Sequence, residues 1–435
     1  MTPAATVQAA IDLLAQIAGG DRPADQVAAE HWRSHRYIGA KDRRAVSDLV
    51  YGVIRRRAAL GWWLDRARAG KFEPGRSQVI AALMLIEGWS AERIDGAFDG
   101  ARHHPKPMTP AERALARALA GHTIDHPAQP DWVRFEVPEW LLPKLAAAFG
   151  HRLARELAAL QGEAPLDLRV NALKASREKA LATLKAERLL AEPTPLSPIG
   201  LRLSARAPIA ATRAYRQGLI EVQDEGSQLI ALLTDARPGQ RVCDFCAGAG
   251  GKTLALAAAM GNKGQVVGLD VRRGRIARAA LRLRRAGVHN VTRRLIASHR
   301  DPWVKHHRES FDRVLVDAPC TGCGTWRRNP DAKWRIGPED ASELVSLQAE
   351  ILASAARLVR QGGRLVYATC SLLPEENAEQ VTRFLPAHPE FRLTPVTEVW
   401  TAVIGGACPA SGATLTLTPA VHATDGFFVA ILERG

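Results

Sequence analysis

From Arg241 onward, short apolar runs alternate with helical periods, and this alternation constrains the fold more than any other feature of the chain. The runs are Arg241-Val-Cys-Asp-Phe245, Gln265-Val-Val-Gly-Leu269, Asp312-Arg-Val-Leu-Val316 and Gly363-Arg-Leu-Val-Tyr-Ala368. Apolar strands separated by helices bury both faces when they pair in parallel and helices cover each side. The fold class is therefore read as α/β. Ligands of such sheets bind at the carboxyl ends of the strands, so the residues just past each run are the ones to examine.

The rest of the chain divides by texture. Residues 1–145 read as an all-α domain. Val46, Leu49, Val53, Ile54, Leu60, Trp63 and Leu64 recur at helical spacing, and Pro and Gly cluster between such stretches. Residues 146–235 read as a linker and a small α+β subdomain. Leu166–Val170 alternates like a strand, and Ser176 is placed to cap a helix running to Leu184. Residues 236–435 form the third domain. With 46% apolar and 24% charged residues, a disordered chain, a collagen and a small disulfide scaffold are excluded. No run of about 18 apolar residues predicts a membrane helix. The start, Met1-Thr-Pro-Ala-Ala-Thr, lacks a secretion-signal pattern. A cytoplasmic monomer is expected, with its six cysteines kept as thiols.

The first strand leads into Asp244-Phe-Cys-Ala-Gly-Ala-Gly-Gly-Lys-Thr253. Glycines there permit a tight turn and close approach of a ligand to the backbone, and the following helix offers free N–H groups. Gly251-Lys252-Thr253 matches the end of a Walker A loop, so a P-loop NTPase is one reading. That motif needs a glycine five positions before Gly251, where this chain has Cys246. The other reading is S-adenosylmethionine. Asp270 ends the second strand 22 residues after Gly248, the usual interval for an acid that holds a ribose. Asp317-Ala-Pro-Cys320 and Ala368-Thr-Cys370-Ser371 each place a cysteine beyond an apolar strand. Cys243/Cys246 and Cys320/Cys323 both fit Cys-x-x-Cys, but 73 residues lie between the pairs. That separation disfavours a zinc or iron–sulfur site, and no metal is expected.

Two thiols beside such a loop suit one demanding reaction. Carbon 5 of cytosine is too weak a nucleophile to take a sulfonium methyl unaided. A thiolate added at carbon 6 makes carbon 5 electron-rich, and the thiol is later eliminated. The scheme needs an acid near N3, a role open to Asp317, and a second cysteine can assist release. Residue chemistry alone leaves open which cysteine attacks.

These residues closely resemble the RNA 5-methylcytosine methyltransferases. The resemblance is carried by Asp317-Ala-Pro-Cys320 with Thr369-Cys370-Ser371, by Leu168-Arg-Val-Asn-Ala-Leu-Lys174 and by Gly218-Leu-Ile-Glu-Val-Gln-Asp-Glu-Gly-Ser227. It continues through Arg327-Arg-Asn-Pro-Asp-Ala-Lys-Trp334, Pro374-Glu-Glu-Asn377 and Asp425–Leu432. Asp42-Arg-Arg-Ala-Val-Ser-Asp-Leu-Val-Tyr-Gly52 resembles the NusB-like domain of the bacterial Sun/Fmu group, the small-subunit rRNA methyltransferase B type. The resemblance implies a Rossmann-like methyltransferase domain using S-adenosylmethionine on an unpaired or flipped cytosine of RNA, expected to be 16S rRNA, with tRNA as the alternative. It implies Cys370 as nucleophile, Cys320 as the release cysteine and Asp317 at the base or cofactor. It implies Asp270 at the ribose, and Cys246, Ala247, Gly248, Ala249, Gly250, Gly251 and Lys252 around the methionine part. The chain departs from the family at Ala249, where Pro is common, at Ser298, where an acid commonly contacts adenine, and at Cys323, where Thr or a small residue is usual. A non-catalytic RNA-binding assembly factor with the same fold is a further alternative, opposed by the intact Asp317, Cys320 and Cys370.

The net charge is +14, which favours a polyanionic partner. Residues 272–308 hold twelve Lys or Arg and one acid, whereas residues 1–150 hold 20 basic and 17 acidic residues. Arg275, Arg278, Arg282 and Arg285 share one helix face, with Ile276, Ala280 and Leu283 on another. The arginine face is expected to contact RNA phosphates. A second patch, Trp326, Arg327, Arg328, Lys333, Trp334 and Arg335, follows Cys320 and is expected to stack on or clamp nucleotides.

Overall fold

The structure, a computed structural model, describes residues 1–67, 75–410 and 412–435. They form two compact units. One comprises Met1–Gln161 with Arg328–Gly337, the other Gly162–Arg327 with Pro338–Gly435.

The first unit is helical. Its principal helices include Pro3–Ala18, Ala24–Ser34, Ala40–Arg55, Arg57–Ala67, Arg76–Leu85 and Pro110–Leu119. Val46, Val53, Leu60 and Trp63, read as a core stripe, are buried together. Thr109 and Glu112 form a capping box, and Glu112 also takes the buried Arg76 guanidinium at 2.6 Å. The compact helical unit runs on past residue 145 to Gln161. The helix Leu153–Gln161 belongs to this unit, and the Gln161 amide donates to Phe135 O at 2.7 Å.

The segment Arg328–Gly337 also belongs to the helical unit, although it follows the Cys320 loop in the chain. Asp331 Oδ2 accepts the Ala24 N–H at 2.9 Å, capping a helix whose own N-cap, Pro23, supplies no side-chain bond. Trp334 lies under the Arg57 guanidinium, 5.6 Å from the ring centroid. Burial pushes the Lys333 ammonium down while the charge of Glu136 opposes that shift. Glu136 closes the N-terminus of Arg57–Ala67 by accepting the Ala58 and Ala59 N–H groups at 2.8 and 3.0 Å. Lys333 is therefore an interior residue, 4% exposed, and the expectation that it contacts RNA is corrected.

The second unit holds two sheets. The smaller has strands β1 (Leu166–Val170), β2 (Ala191–Pro193), β3 (Gly200–Leu203) and β4 (Ile220–Val222), in the order β2-β3-β1-β4 and antiparallel throughout. The helix Arg177–Ala186 packs with it, and Ser176 caps that helix by accepting from Lys179 N. The larger sheet contains β5 (Arg241–Asp244), β6 (Gln265–Asp270), β7 (Val291–Leu295), β8 (Phe311–Asp317), β9 (Val359–Thr369), β10 (Phe391–Thr394), β11 (Leu415–Leu417) and β12 (Phe427–Arg434). Its order is β10-β12-β9-β8-β5-β6-β7, with β11 beside β12. Strands β5 to β9 pair in parallel, and β12 is antiparallel to β9.

Alternation along these strands fills two cores. Cys243, Val267, Val314, Leu365 and Tyr367 bury on one face with Ile351 and Phe384. Val242, Val266, Leu315 and Val366 bury on the other with Leu229 and Leu256. The sheet is thus the doubly covered, Rossmann-like one that the apolar runs predict. The chain adds β6 and β7 on one side of β5 and then crosses to β8 on the other. The resulting switch point opens at the carboxyl ends of β5 and β8. Among the described residues, no helix is long and apolar enough to cross a membrane.

Candidate active site

A cavity of about 750 Å³ opens at this switch point, within the range that holds a cofactor-sized ligand. Its floor is the glycine loop between β5 and the helix Gly251–Ala259. Gly250 adopts φ 82°, and a Cβ there would press on Ala279 at 3.1 Å. The loop is tied to both neighbouring strands: Phe245 N donates to Leu315 O and Ala247 N to Leu269 O, each at 2.8 Å. Asp270 ends β6 at the cavity wall. Its carboxylate accepts the Gly248 N–H at 2.9 Å and the Arg272 N–H at 2.7 Å, which holds the side chain at the loop.

Asp244, at the end of β5, also lines the cavity and was not singled out in the sequence. It accepts the Thr253 hydroxyl at 2.6 Å, while Oδ1 has no hydrogen-bond partner. Burial pushes its carboxyl up to about 7, and the nearby Asp317 acts in the same direction. A strand-end rule applied to β5 as well as to β6 would have found it.

At the ends of β8 and β9 the two thiols meet. Cys320 Sγ and Cys370 Sγ are 3.4 Å apart and line the same cavity. The hydrogen bond to Cys370 and burial push the Cys320 thiol well above its ordinary range. That contact and burial favour the protonated form of Cys320. Lys252 Nζ reaches Asp317 Oδ2 at 2.7 Å and lies 5.4 Å from the Phe427 ring centroid. The lysine of the Gly-Lys-Thr triplet thus orients the Asp317 carboxylate.

A buried network clips the Cys320 loop to the Cys370 loop. Glu376 accepts Thr321 N at 2.9 Å, Thr321 Oγ1 at 2.5 Å and Gln348 Nε2 at 2.9 Å. Thr321 Oγ1 and Cys323 Sγ each lie 3.3 Å from Ser371 Oγ. Cys323 Sγ also accepts the Leu372 N–H at 2.9 Å. Cys323, where the family usually has Thr or a small residue, is a sulfur acceptor inside this clip, its own thiol pushed up to about 12 by burial. Asn377 braces the Cys370 side, donating to Ser371 O at 2.9 Å and accepting the Thr369 hydroxyl at 2.5 Å. Gly324 donates to Cys370 O and accepts from Gly426 N, at 2.9 and 2.8 Å. Glu376 and Asn377 lay inside a segment noted for its resemblance, but nothing in a linear sequence indicated which partners they hold.

The geometry is that of a nucleotide-type ligand site with a thiol pair at one end. A family model described as "16S rRNA methyltransferase RsmB/F" matches residues 231–433. One described as "Methyltr_RsmF/B-like, ferredoxin-like domain" matches residues 137–210. The ribosomal RNA small subunit methyltransferase B of Photorhabdus laumondii is 33% identical over 91% of this chain and 92% of its own length. That of Klebsiella pneumoniae is 31% identical over 91% of both.

The chain belongs to the ribosomal RNA small subunit methyltransferase B family.

Solved structures agree with this. PH0851 superposes with a TM-score of 0.82 at 26% identity, covering 100% of this chain and 99% of its own. A methyltransferase homolog protein from Pyrococcus horikoshii gives a TM-score of 0.61 at 29% identity, over 72% of this chain and 100% of that one. The protein is an rRNA methyltransferase, and its methyl donor is S-adenosylmethionine. The residues present fit that donor: a glycine loop open to close approach, a carboxylate at the end of β6, and an apolar wall containing Ile296 and Ile351. Family membership also displaces the NTPase and assembly-factor readings.

This family member carries no acid aimed into the cavity from the end of β7. Ala297, Ser298 and His299 line the wall there. Asp301 is occupied with the Ala297 and Trp303 N–H groups, each at 2.9 Å, and caps the helix Pro302–His306. All six cysteines are unpaired in disulfides. Cys243 is fully buried in β5, and among the described residues no group of three or more His, Cys, Asp or Glu could hold a metal ion.

The predicted arginine face divides in two. Arg278 is exposed, and Arg275 stands at the cavity rim with a guanidinium nitrogen 3.8 Å from Asp270. Arg282 and Arg285 turn inward to Glu221 of β4, Arg282 at 3.0 Å. Their assignment to RNA is corrected: the docking face is Ala279, Leu283 and Ala286, and the adjacent arginines hold the small sheet. Arg327 is also interior, 4% exposed and bonded to Asp425 at 2.6 Å. Arg328 is half-buried in the helical unit.

Proposed function

We propose that this protein methylates carbon 5 of a cytosine in 16S rRNA through a covalent bond between Cys370 and carbon 6 of the base. The observation that supports this most directly is the 3.4 Å approach of two thiols at adjacent strand ends in one cavity. S-adenosylmethionine, when bound, supplies the methyl group. Cys370 Sγ, its proton lost to water, adds to carbon 6. Asp317, positioned by Lys252, acts as the acid that delivers a proton to N3 as the ring takes up the electron pair and takes it back on elimination. Carbon 5 gains the methyl and gives its proton to water. The C6–S bond then breaks, and the Cys320 thiol stabilises the departing Cys370 sulfur by hydrogen bonding. Raised well above its ordinary range, Cys320 is suited to that donor role and unsuited to attack.

The RNA surface of the catalytic unit is proposed to be the exposed arginines outside the Glu221 cluster. Arg273, Arg278 and Arg284 lie on the helix after β6, and Arg293 and Arg294 on the edge strand β7. The helical unit, NusB-like by resemblance, is proposed as a docking module for rRNA.

The test uses two variants with unmethylated small-subunit rRNA. Cys370→Ala is expected to abolish methyl transfer, and Cys320→Ala to accumulate an RNA–protein adduct on denaturing gels. Normal methylation by Cys370→Ala would refute the assignment. Bisulfite sequencing of total RNA from a deletion strain would separate rRNA from tRNA as substrate.

A further inference from the structure

Two arginines share one carboxylate behind the glycine loop, and a third is buried beside them. Arg169 of β1 is 3% exposed. It donates through Nη1 to the Gln223 side chain and, at 2.7 Å, to Gly251 O. Arg282 donates to Ala249 O at 2.9 Å and to Glu221 Oε2 at 3.0 Å. Arg285 pairs with Glu221 and lies 3.7 Å from the Tyr215 ring centroid. Arg282 and Arg285 share the Glu221 carboxylate, whereas the bonds of Arg169 go to an amide oxygen and a backbone carbonyl, so the three cations have one carboxylate among their contacts.

An uncompensated cation is costly in a protein interior. Arg169 carries that cost: its Nε is buried without a hydrogen-bond partner, and burial and Arg282 push its guanidinium down to about 9. The void among Arg169, Glu221 and Arg285 is about 10 Å³, room for one water at most and too small for an anion. Arg169's two partners, Gln223 and Gly251, line the large cavity on their other side.

We infer that Arg169, seconded by Arg282, is the counter-charge for the α-carboxylate of the cofactor's amino-acid end, acting through Gln223 and the carbonyls of Ala249 and Gly251. This rests on the assignment of the cavity to S-adenosylmethionine. In this role Arg169 is a positioning residue: it turns the loop carbonyls toward the small sheet and supplies positive potential where the carboxylate arrives. The small α+β sheet thereby becomes part of the cofactor site.

Calorimetry on the full chain tests it, comparing S-adenosylhomocysteine with 5′-methylthioadenosine, which lacks the carboxylate. Arg169→Met is expected to weaken S-adenosylhomocysteine at least about tenfold while leaving 5′-methylthioadenosine within about threefold. Arg169→Lys, which keeps the charge, should retain most of the selectivity. Glu221→Gln removes the competing anion and should shift selectivity the opposite way, toward the carboxylate-bearing ligand. Equal weakening of both ligands by Arg169→Met, or selectivity unmoved in Glu221→Gln, would overturn the inference. Wild-type protein that binds neither ligand would overturn the cofactor assignment and the inference with it.

Discussion

Glu376 decides whether the clip between the two thiol loops is energetic or merely geometric. Its side chain is fully buried and takes three hydrogen bonds, two from Thr321 and one from Gln348. In Glu376→Ala the Thr321 hydroxyl can turn to Ser371 Oγ, 3.3 Å away, and Gln348 keeps its bond to Pro319 O. The Thr321 N–H and one Gln348 N–H lose their acceptor. At about 1–3 kcal/mol for each of the two unpaired buried donors, plus roughly 1 kcal/mol for the space left behind, the loss is about 3–7 kcal/mol. That is a large part of a stability of about 5–15 kcal/mol. Glu376→Gln should cost under about 1.5 kcal/mol. Its carbonyl accepts the two N–H groups, and the Thr321 hydroxyl reverses to accept from the amide. Urea unfolding with hydrogen-exchange mass spectrometry on β8 and β9 peptides reads the catalytic unit separately. The Glu376 charge also helps raise the Cys320 thiol, after the Cys370 hydrogen bond, burial and the Cys370 charge, so Glu376→Gln should lower the pH at which Cys320 alkylates. An alanine variant within about 1 kcal/mol of wild type, or a glutamine variant as damaged as alanine, would refute the reasoning.

Three further outcomes are expected. Neutralising Arg278, Arg293 and Arg294 should flatten the salt dependence of RNA binding by up to about three counterions; neutralising Arg282 and Arg285 should instead loosen the small sheet, seen as faster hydrogen exchange in β4. Asp244 has its folded pKa raised to about 7 from 3.8, so its stabilising contribution is present below pH 3.8 and lost as pH rises through 7. Cofactor-free wild type should therefore lose stability relative to Asp244→Asn across that window, by at most ~1.4 kcal/mol per pH unit, and parallel pH profiles for the two would contradict this. Gly324→Ala places a Cβ 2.2 Å from Gly426 O and 2.7 Å from its Cα; because both are backbone, it should lower methyl transfer at least about tenfold and cost over ~2 kcal/mol, and a wild-type rate would show that the loops move apart freely.

Much of the site was legible because its chemistry sits at strand ends. Apolar runs located β5, β6, β8 and β9, and the residues after them, Gly248, Asp270, Asp317, Cys320 and Cys370, line one cavity. The helical period likewise located Val46, Val53, Leu60 and Trp63 in a core. Such readings succeed because periodicity is a local property of the backbone. Charge misled where it was counted by helix face alone. Arg282 and Arg285 share a face with Arg278 but meet Glu221, which lies some sixty positions away in the chain.

The sequence by itself determined the doubly covered sheet, the glycine loop, the two cysteines and the basic surplus, since each follows from residue type and spacing. Tertiary structure alone decided which charges are spent inside. It placed Lys333 beside Glu136 in the helical unit, Arg327 on Asp425, and Arg169 behind the glycine loop. It also decided that Glu376 and Cys323 hold two loops together. The physical reason is the same in each case. A buried polar group must find its partner in three dimensions, and that partner's position in the chain is set by the packing of elements, not by any local pattern.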